Sequence, residues 1–146
     1  MSAEAAPPDK TEAARRFLRV LPLCCALGME VVEAGDGWVL TSLDYDPRFV
    51  GDPATGVLHG GVVTALLDTS GGASVLLHPA GSVSTATIDL RIDYLRPAEP
   101  GQRLFARAEC YRMTRTVAFV RAHAWTRSPE DVVATMAGAF TVERPA

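Results

Sequence analysis

From residue 84 to residue 143 the chain reads as four consecutive β-segments, and a single long helical segment, residues 60–78, precedes them. That order sharply narrows the folds open to it. Strands that follow one another through short turns pair antiparallel, and a lone helix must bury its apolar surface against the sheet they form. The strand pattern is cleanest in STATIDLRIDYL, residues 84–95, where Ala86, Ile88, Leu90, Ile92 and Tyr94 alternate with Thr85, Thr87, Asp89, Arg91 and Asp93. Period-two alternation predicts one dry face and one wetter face. PAEPG breaks the run, then QRLFARAECYRM, TVAFVRAHAWTR and VVATMAGAFTVE supply three more strands, with SPED as the last turn.

Upstream, MEVVEAGDGWVLTSLDYD predicts two strands joined by the Gly35-Asp36-Gly37 turn. Residues 11–27 predict a helix capped by Thr11, kinked or ended by Pro22 and stopped at Gly28. Residues 47–58 read as loop, and Pro79 and Gly81 close the long helix. Residues 1–10 read as a disordered lead-in and residues 11–146 as one domain. The expected fold class is α+β: an antiparallel sheet of about six strands wrapped around one long central helix, with a short N-terminal helix. Such a sheet leaves edges open, so self-association is expected.

The formal charge of −3 gives no footprint for nucleic acid or an anionic membrane surface. No apolar run reaches the roughly 18–20 residues of a membrane span, and MSAEAAPPDK lacks the order of a signal peptide. Cys24, Cys25 and Cys110 are odd in number with two adjacent, a poor disulfide framework, and read as small buried hydrophobes. His59, His78 and His123 form no local metal motif. The expectations are a cytoplasmic protein with no metal, no nucleic-acid partner and no membrane partner.

The long helix raises the chemical question. Val62, Leu66, Thr69, Ala73 and Leu76 form a mainly apolar stripe able to pack on the sheet. Asp68 shares another face with Gly61, Thr64, Ala65, Gly71 and Gly72. A glycine inside a helix costs roughly 0.5–1 kcal/mol relative to alanine. An acid ringed by such small residues is either wetted at the surface or approached closely by a backbone, a second helix or a ligand. His59-Gly60-Gly61 stands at the helix start, where free N–H groups and the helix dipole favour a phosphate or a developing oxyanion; a plain loop-to-helix turn is the alternative. Gly60 and Asp68 are eight residues apart, about 12 Å along a helix. A carbonyl that needs both within about 3 Å is not served by one straight helix. Two chains with antiparallel helices can serve it across a two-fold axis, so a catalytic segment here requires a dimer.

The pattern L-H-G-G-x6-D opening the helix, then I-D-x-x-I-x-Y-x-R-P and a further Pro-Gly turn, resembles the hotdog-fold acyl-CoA thioesterases of the PaaI-like, phenylacetate-degradation type. The likeness spans residues 20–143. It implies a homodimer, commonly paired into a tetramer, acting on an acyl-CoA, with no cofactor because CoA enters with the substrate. It implies Asp68 as the catalytic carboxylate, either general base or nucleophile, and the Gly60 N–H polarising the thioester carbonyl across the subunit boundary. By the same resemblance His59 and Gly61 support the carbonyl site, Thr87 positions the attacking water, and Arg115-Thr116 sit in a turn that contacts CoA phosphates. Pro53, with Asp52 beside it, stands where many relatives carry an Asn or Gln that holds the carbonyl or the water. Two rival readings are a non-catalytic acyl-CoA binder and a hotdog enoyl-CoA hydratase or dehydratase. The second is disfavoured because Asp52 and His59 are seven apart rather than five and its motif's Asn is missing.

Elsewhere, His78 reads as a C-terminal helix cap and His123 as a solvated strand residue beside Arg121 and Arg127. Arg91, Arg96, Arg103, Arg107 and Arg112 read as outer-face surface, and Trp38 and Trp125 as packing.

Overall fold

In the computed structural model, which describes residues 9–146, the chain starts with helix α1, Lys10–Arg19. Its cap is Asp9, whose carboxylate accepts from the N–H groups of Thr11 and Glu12, rather than the expected Thr11. The Thr11 hydroxyl is spent on Ala34 instead, bonding both its carbonyl and its N–H. Asp9 and Lys10, assigned from sequence to the lead-in, thus belong to the start of the helix; residues 1–8 of that expected segment lie outside the described residues. Pro22 separates α1 from α2, Pro22–Leu27, where it occupies the first turn, the position at which its missing N–H does no harm. Gly28 ends α2 in the left-handed conformation, φ 68°.

Strands β1, Glu30–Gly35, and β2, Trp38–Leu43, form the expected hairpin. A short 3-10 turn, Pro47–Phe49, and an irregular loop lead into helix α3, Gly60–Leu76. Then come β3, Thr87–Tyr94; β4, Leu104–Met113; β5, Val117–Trp125; and β6, Val132–Thr141. All neighbours are antiparallel, in the order β1-β2-β4-β5-β6-β3. This six-stranded sheet around one long helix is the expected hotdog architecture.

The sheet admits the helix because its inner face is built from small side chains. The pairs Ala106 with Ala124 and Ala108 with Ala122 lie at the centre of β4 and β5, and all four alanines are buried. On the other side Phe105 stacks on Trp125, and Arg107 covers Trp38. Helix α3 packs against β2, β4 and β5, while α1 covers the β1 edge. The single apolar stripe expected for α3 is too narrow: Val63, Leu67, Ser70, Ser74 and Val75 are buried as well, and Leu76 is only half-buried. The far side of α3 is not left to water, because α2 brings Cys24 to 3.8 Å from the Thr69 hydroxyl. The buried hydroxyls are satisfied locally, Ser70 by the Leu66 carbonyl and by Thr41, and Ser74 by the Gly71 carbonyl.

Phe140 is the keystone of the helix–sheet contact. It is 1% exposed, and a Cβ at Gly71 or at Gly138 would lie 2.7 Å or 3.1 Å from its ring. Phe140→Ala is expected to destabilise the fold by about 3–5 kcal/mol, read as a lower midpoint in urea unfolding with an unchanged slope.

Strand β3 departs from the dry face that its alternation predicts. Leu90 and Ile92 are half-buried, but Ile88 and Tyr94 are 54% and 49% exposed. The reason is its place at the sheet edge, paired on one side only, with β6. Several other expectations also change. Cys25 is exposed, while Cys24 and Cys110 are buried and burial pushes their thiols up. His123 is half-buried and stacked on Trp125, and burial followed by the nearby Arg107 charge lowers its pKa, so it is not a solvated residue. His78 accepts from the Ala80 N–H beyond the helix end rather than capping carbonyls as a cation. Arg96 is not outer-face surface; it is held by Asp131, Glu99, Thr126 and the Pro97 carbonyl.

Candidate active site

The chemistry-bearing residues fall into two groups at different points along α3. The first surrounds Asp68, which is half-buried at the midpoint of the helix. The Thr87 hydroxyl, at the start of β3, donates to Asp68 Oδ1 at 2.7 Å. Among the described residues no hydrogen bond reaches Oδ2. A carboxylate with one oxygen held and the other open can accept a proton from water or attack a carbonyl directly. The pair opens into a cavity of about 160 Å³ lined by Phe17, Thr69, Gly72, Thr85, Ala86 and Phe140.

The glycines expected to clear space beside Asp68 divide in role. Gly72 does line this cavity. Gly71 is instead small because Phe140 and Met136 press against it, with a Cβ there 2.7 Å and 3.1 Å from the two side chains. Sequence reasoning did not include Phe17 or Thr85 in the site. The residues are far from Asp68 in sequence, and only the packing of α1 and the β3 approach segment brings them near.

The second group is the start of α3. His59 is the N-cap, and its Nδ1 accepts the Gly61 N–H at 2.8 Å. This fixes Nδ1 as the unprotonated nitrogen. It also accounts for Gly61, since a Cβ there would sit 2.9 Å from Nδ1. The Val62 N–H is taken by the His59 carbonyl. That leaves Gly60, whose N–H has no hydrogen-bond partner among the described residues. The loop before it is pinned from three sides: His59 N–H to the Phe49 carbonyl, Gly51 N–H to the Val57 carbonyl, and Leu58 N–H to the Ala98 carbonyl. A cavity of about 460 Å³ adjoins Gly60, lined by Val57, Leu58, Val63, Tyr94, Leu95 and Pro97 among others. From sequence Tyr94 is a position of the β3 alternation and of the I-D-x-x-I-x-Y-x-R-P motif, with no role in the site. Its hydroxyl donates to the Gly60 carbonyl at 2.8 Å and also bonds the Thr64 hydroxyl.

Pro53 is exposed at the tip of the preceding loop. The loop closes on itself around Asp52, whose carboxylate accepts from the Ala54 N–H and the Thr55 hydroxyl. The residue packed on His59 is Gly51, not Pro53: a Cβ at Gly51 would lie 2.8 Å from His59 Cα. Arg115 and Thr116 are exposed in the β4–β5 turn. That turn lies at the Thr87 end of the sheet, because Val117 pairs with Thr141 and Thr87 with Phe140. No hydrogen bond links either residue to Asp68 or Thr87. Within one chain, then, Asp68 and Thr87 come together, His59, Gly60 and Gly61 come together, and the two groups stay apart.

Comparison with known proteins adds to this geometry. A family model described as the thioesterase superfamily matches residues 55–133, which take in both groups. A protein of Halobacterium salinarum is 37% identical over 94 residues, covering 62% of this chain and 61% of that protein, so the match spans about three-fifths of that relative's length. The medium/long-chain acyl-CoA thioesterase YigI of Escherichia coli is 32% identical over 118 residues, 72% of this chain and 76% of YigI. A Pseudomonas aeruginosa protein of solved structure superposes with a TM-score of 0.81 at 40% identity, over 90% of this chain and 98% of the other. PaaI of the E. coli phenylacetic acid degradation operon has the same fold, with a TM-score of 0.79 at 17% identity over 94% and 96% of the two chains.

Proposed function

From the premise that the chain belongs to the thioesterase superfamily, we propose that it hydrolyses an acyl-CoA thioester to the free acid and CoA, using Asp68 of one subunit and the Gly60 N–H of a second. The observation that carries this reading is the Thr87–Asp68 hydrogen bond at 2.7 Å beside a small cavity. It orients one carboxylate oxygen and leaves the other free for the reaction. Asp68 acts on a water that Thr87 helps to place, or on the carbonyl itself. The carbonyl oxygen gains negative charge as it is attacked, and a fixed N–H stabilises that charge far better than mobile water does. Where water attacks, the tetrahedral adduct collapses with cleavage of the C–S bond to the acid and CoA thiolate, which takes up the proton that Asp68 drew from the water. Where Asp68 attacks, the collapse releases CoA and leaves an Asp68 acyl anhydride, which water then hydrolyses to the acid.

Support for the two-subunit arrangement comes from the separation of the groups, about 12 Å along one helix. The uncovered edge of β3, with Ile88 and Tyr94 exposed, favours pairing with a second copy. The reading requires no metal or redox cofactor. Arg115 and Thr116 are assigned to the CoA phosphates, which a guanidinium in an exposed turn is suited to meet. An acyl-CoA as substrate class is favoured by the name of YigI.

A panel of acetyl-, hexanoyl-, decanoyl-, palmitoyl-, benzoyl- and phenylacetyl-CoA, with free thiol as the readout, tests the proposal. Thiol release from at least one class is expected, with no hydration of crotonyl-CoA. The hydratase alternative is weakened by Asp52, whose carboxylate is already occupied within its own turn. Tight binding of an acyl-CoA with no thiol released from any of the six would replace hydrolysis with a carrier role.

A further inference from the structure

Gly60 and Gly61 open α3 with no side chains to hold them, so the first turn has a permissive backbone. A backbone N–H stabilises a developing oxyanion only if its direction is set before the reaction. Something must therefore restrain this turn. His59 does so from one side by accepting the Gly61 N–H. On the other side the restraint comes from β3, through Tyr94 at the strand's last position.

The Tyr94 hydroxyl has one hydrogen, and it goes to the Gly60 carbonyl at 2.8 Å. The bond between Tyr94 and Thr64 must then run from the Thr64 hydroxyl to the tyrosine oxygen. The result is a directed chain, Thr64 to Tyr94 to Gly60, which closes across one turn of the helix. The ring itself rests on the glycine, with three of its atoms 3.4–3.5 Å from where a Cβ at residue 60 would be. Tyr94 is 49% exposed. Yet both its donor and an acceptor position are used on α3.

We propose that Tyr94 is a positioning residue, holding the first turn of α3, and with it the Gly60 N–H, in the direction the thioester carbonyl requires. The inference rests on the thioesterase reading of the same site. Tyr94 acts through Gly60 and has no proton-transfer role. Its removal slows the chemical step rather than weakening substrate binding.

Tyr94→Phe keeps the ring and deletes the hydroxyl. With the best substrate of the acyl-CoA panel, kcat is expected to fall between about tenfold and a hundredfold while KM stays within about twofold. Thr64→Val, which removes only the outer link, is expected to lower kcat in the same direction by less. Amide hydrogen exchange at Gly61, whose N–H is held by His59, is expected to quicken in Tyr94→Phe, with melting temperature and oligomeric mass unchanged. An unaltered kcat would overturn the inference, and so would a change confined to KM. A fall in kcat without faster exchange at Gly61 would overturn it too, since the effect would not travel through the helix. If the wild-type protein releases no thiol from any acyl-CoA, the functional reading fails and takes this inference with it; an active wild type with an indifferent Tyr94→Phe sinks the inference alone.

Discussion

Asp68→Asn is expected to lower acyl-CoA hydrolysis by about a thousandfold or more, in a chain that folds as the wild type does. The substitution is close to isosteric. Its amide oxygen can still accept the Thr87 hydroxyl bond that Asp68 Oδ1 accepts at 2.7 Å. Asp68 is half-buried and makes no ion pair among the described residues, so no cationic partner is stranded by the change. What disappears is the negative charge and the basic oxygen that faces the cavity. Thiol release measured beside a thermal melt separates the two consequences. Turnover within a few-fold of wild type at an unchanged melting temperature would remove Asp68 from the mechanism.

Gly60→Pro is the second large effect, and its value lies in how little else it disturbs. Gly60 is the first residue of α3, the position where proline is best accepted because its missing N–H would have had no helical partner. His59, at φ −61° and ψ 133°, already has the extended conformation that a residue before proline prefers. The contact with the Tyr94 ring, at 3.4 Å, leaves room for a Cβ. The variant therefore deletes the one first-turn N–H that has no partner and keeps the helix. A fall in kcat of about a hundredfold to a thousandfold is expected, with the helical signal in circular dichroism retained.

Mixing the two variants tests where the two groups meet. If each site takes Asp68 from one subunit and Gly60 from the other, a mixed dimer has one site with both defects and one with none. Random reassortment of Asp68→Asn and Gly60→Pro chains is then expected to restore about a quarter of wild-type activity, because half the dimers are mixed and each has one sound site. If one chain supplied both groups, every site in the mixture would be damaged and activity would stay at the level of the parents.

The elements of the fold were legible because their signals are local. Alternation between residues 84 and 95, the Asp36-Gly37 turn, and the Pro22 and Gly28 stops each act within a few residues, and each falls at or near the observed boundary. Where local reading slipped, a distant group had intervened. Thr11 looks like a cap, but Ala34 takes its hydroxyl and Asp9 caps the helix instead. Strand β3 looks half-dry, but its place at the edge of the sheet is set by a crossover that no period reveals. Helix α3 carries one readable apolar stripe, yet residues off that stripe, Val63, Leu67, Ser70, Ser74 and Val75, are buried as well.

At the site the same division holds. The bare residue types marked Asp68 as an acid among small side chains and Gly60 as a helix-opening glycine, and helical rise alone put them too far apart to share a carbonyl. Those conclusions follow from spacing along a single element, which sequence contains. Which partners each one meets could not be read that way. Thr87 reaches Asp68 across 19 positions, and Tyr94 reaches Gly60 across 34. Gly71 is small for Phe140, 69 positions downstream, and not for a ligand. Contacts of this kind depend on how strands cross and layers stack. The sequence by itself determined the helix, its acid and its open N-terminus; only the tertiary structure decided what holds each of them in place.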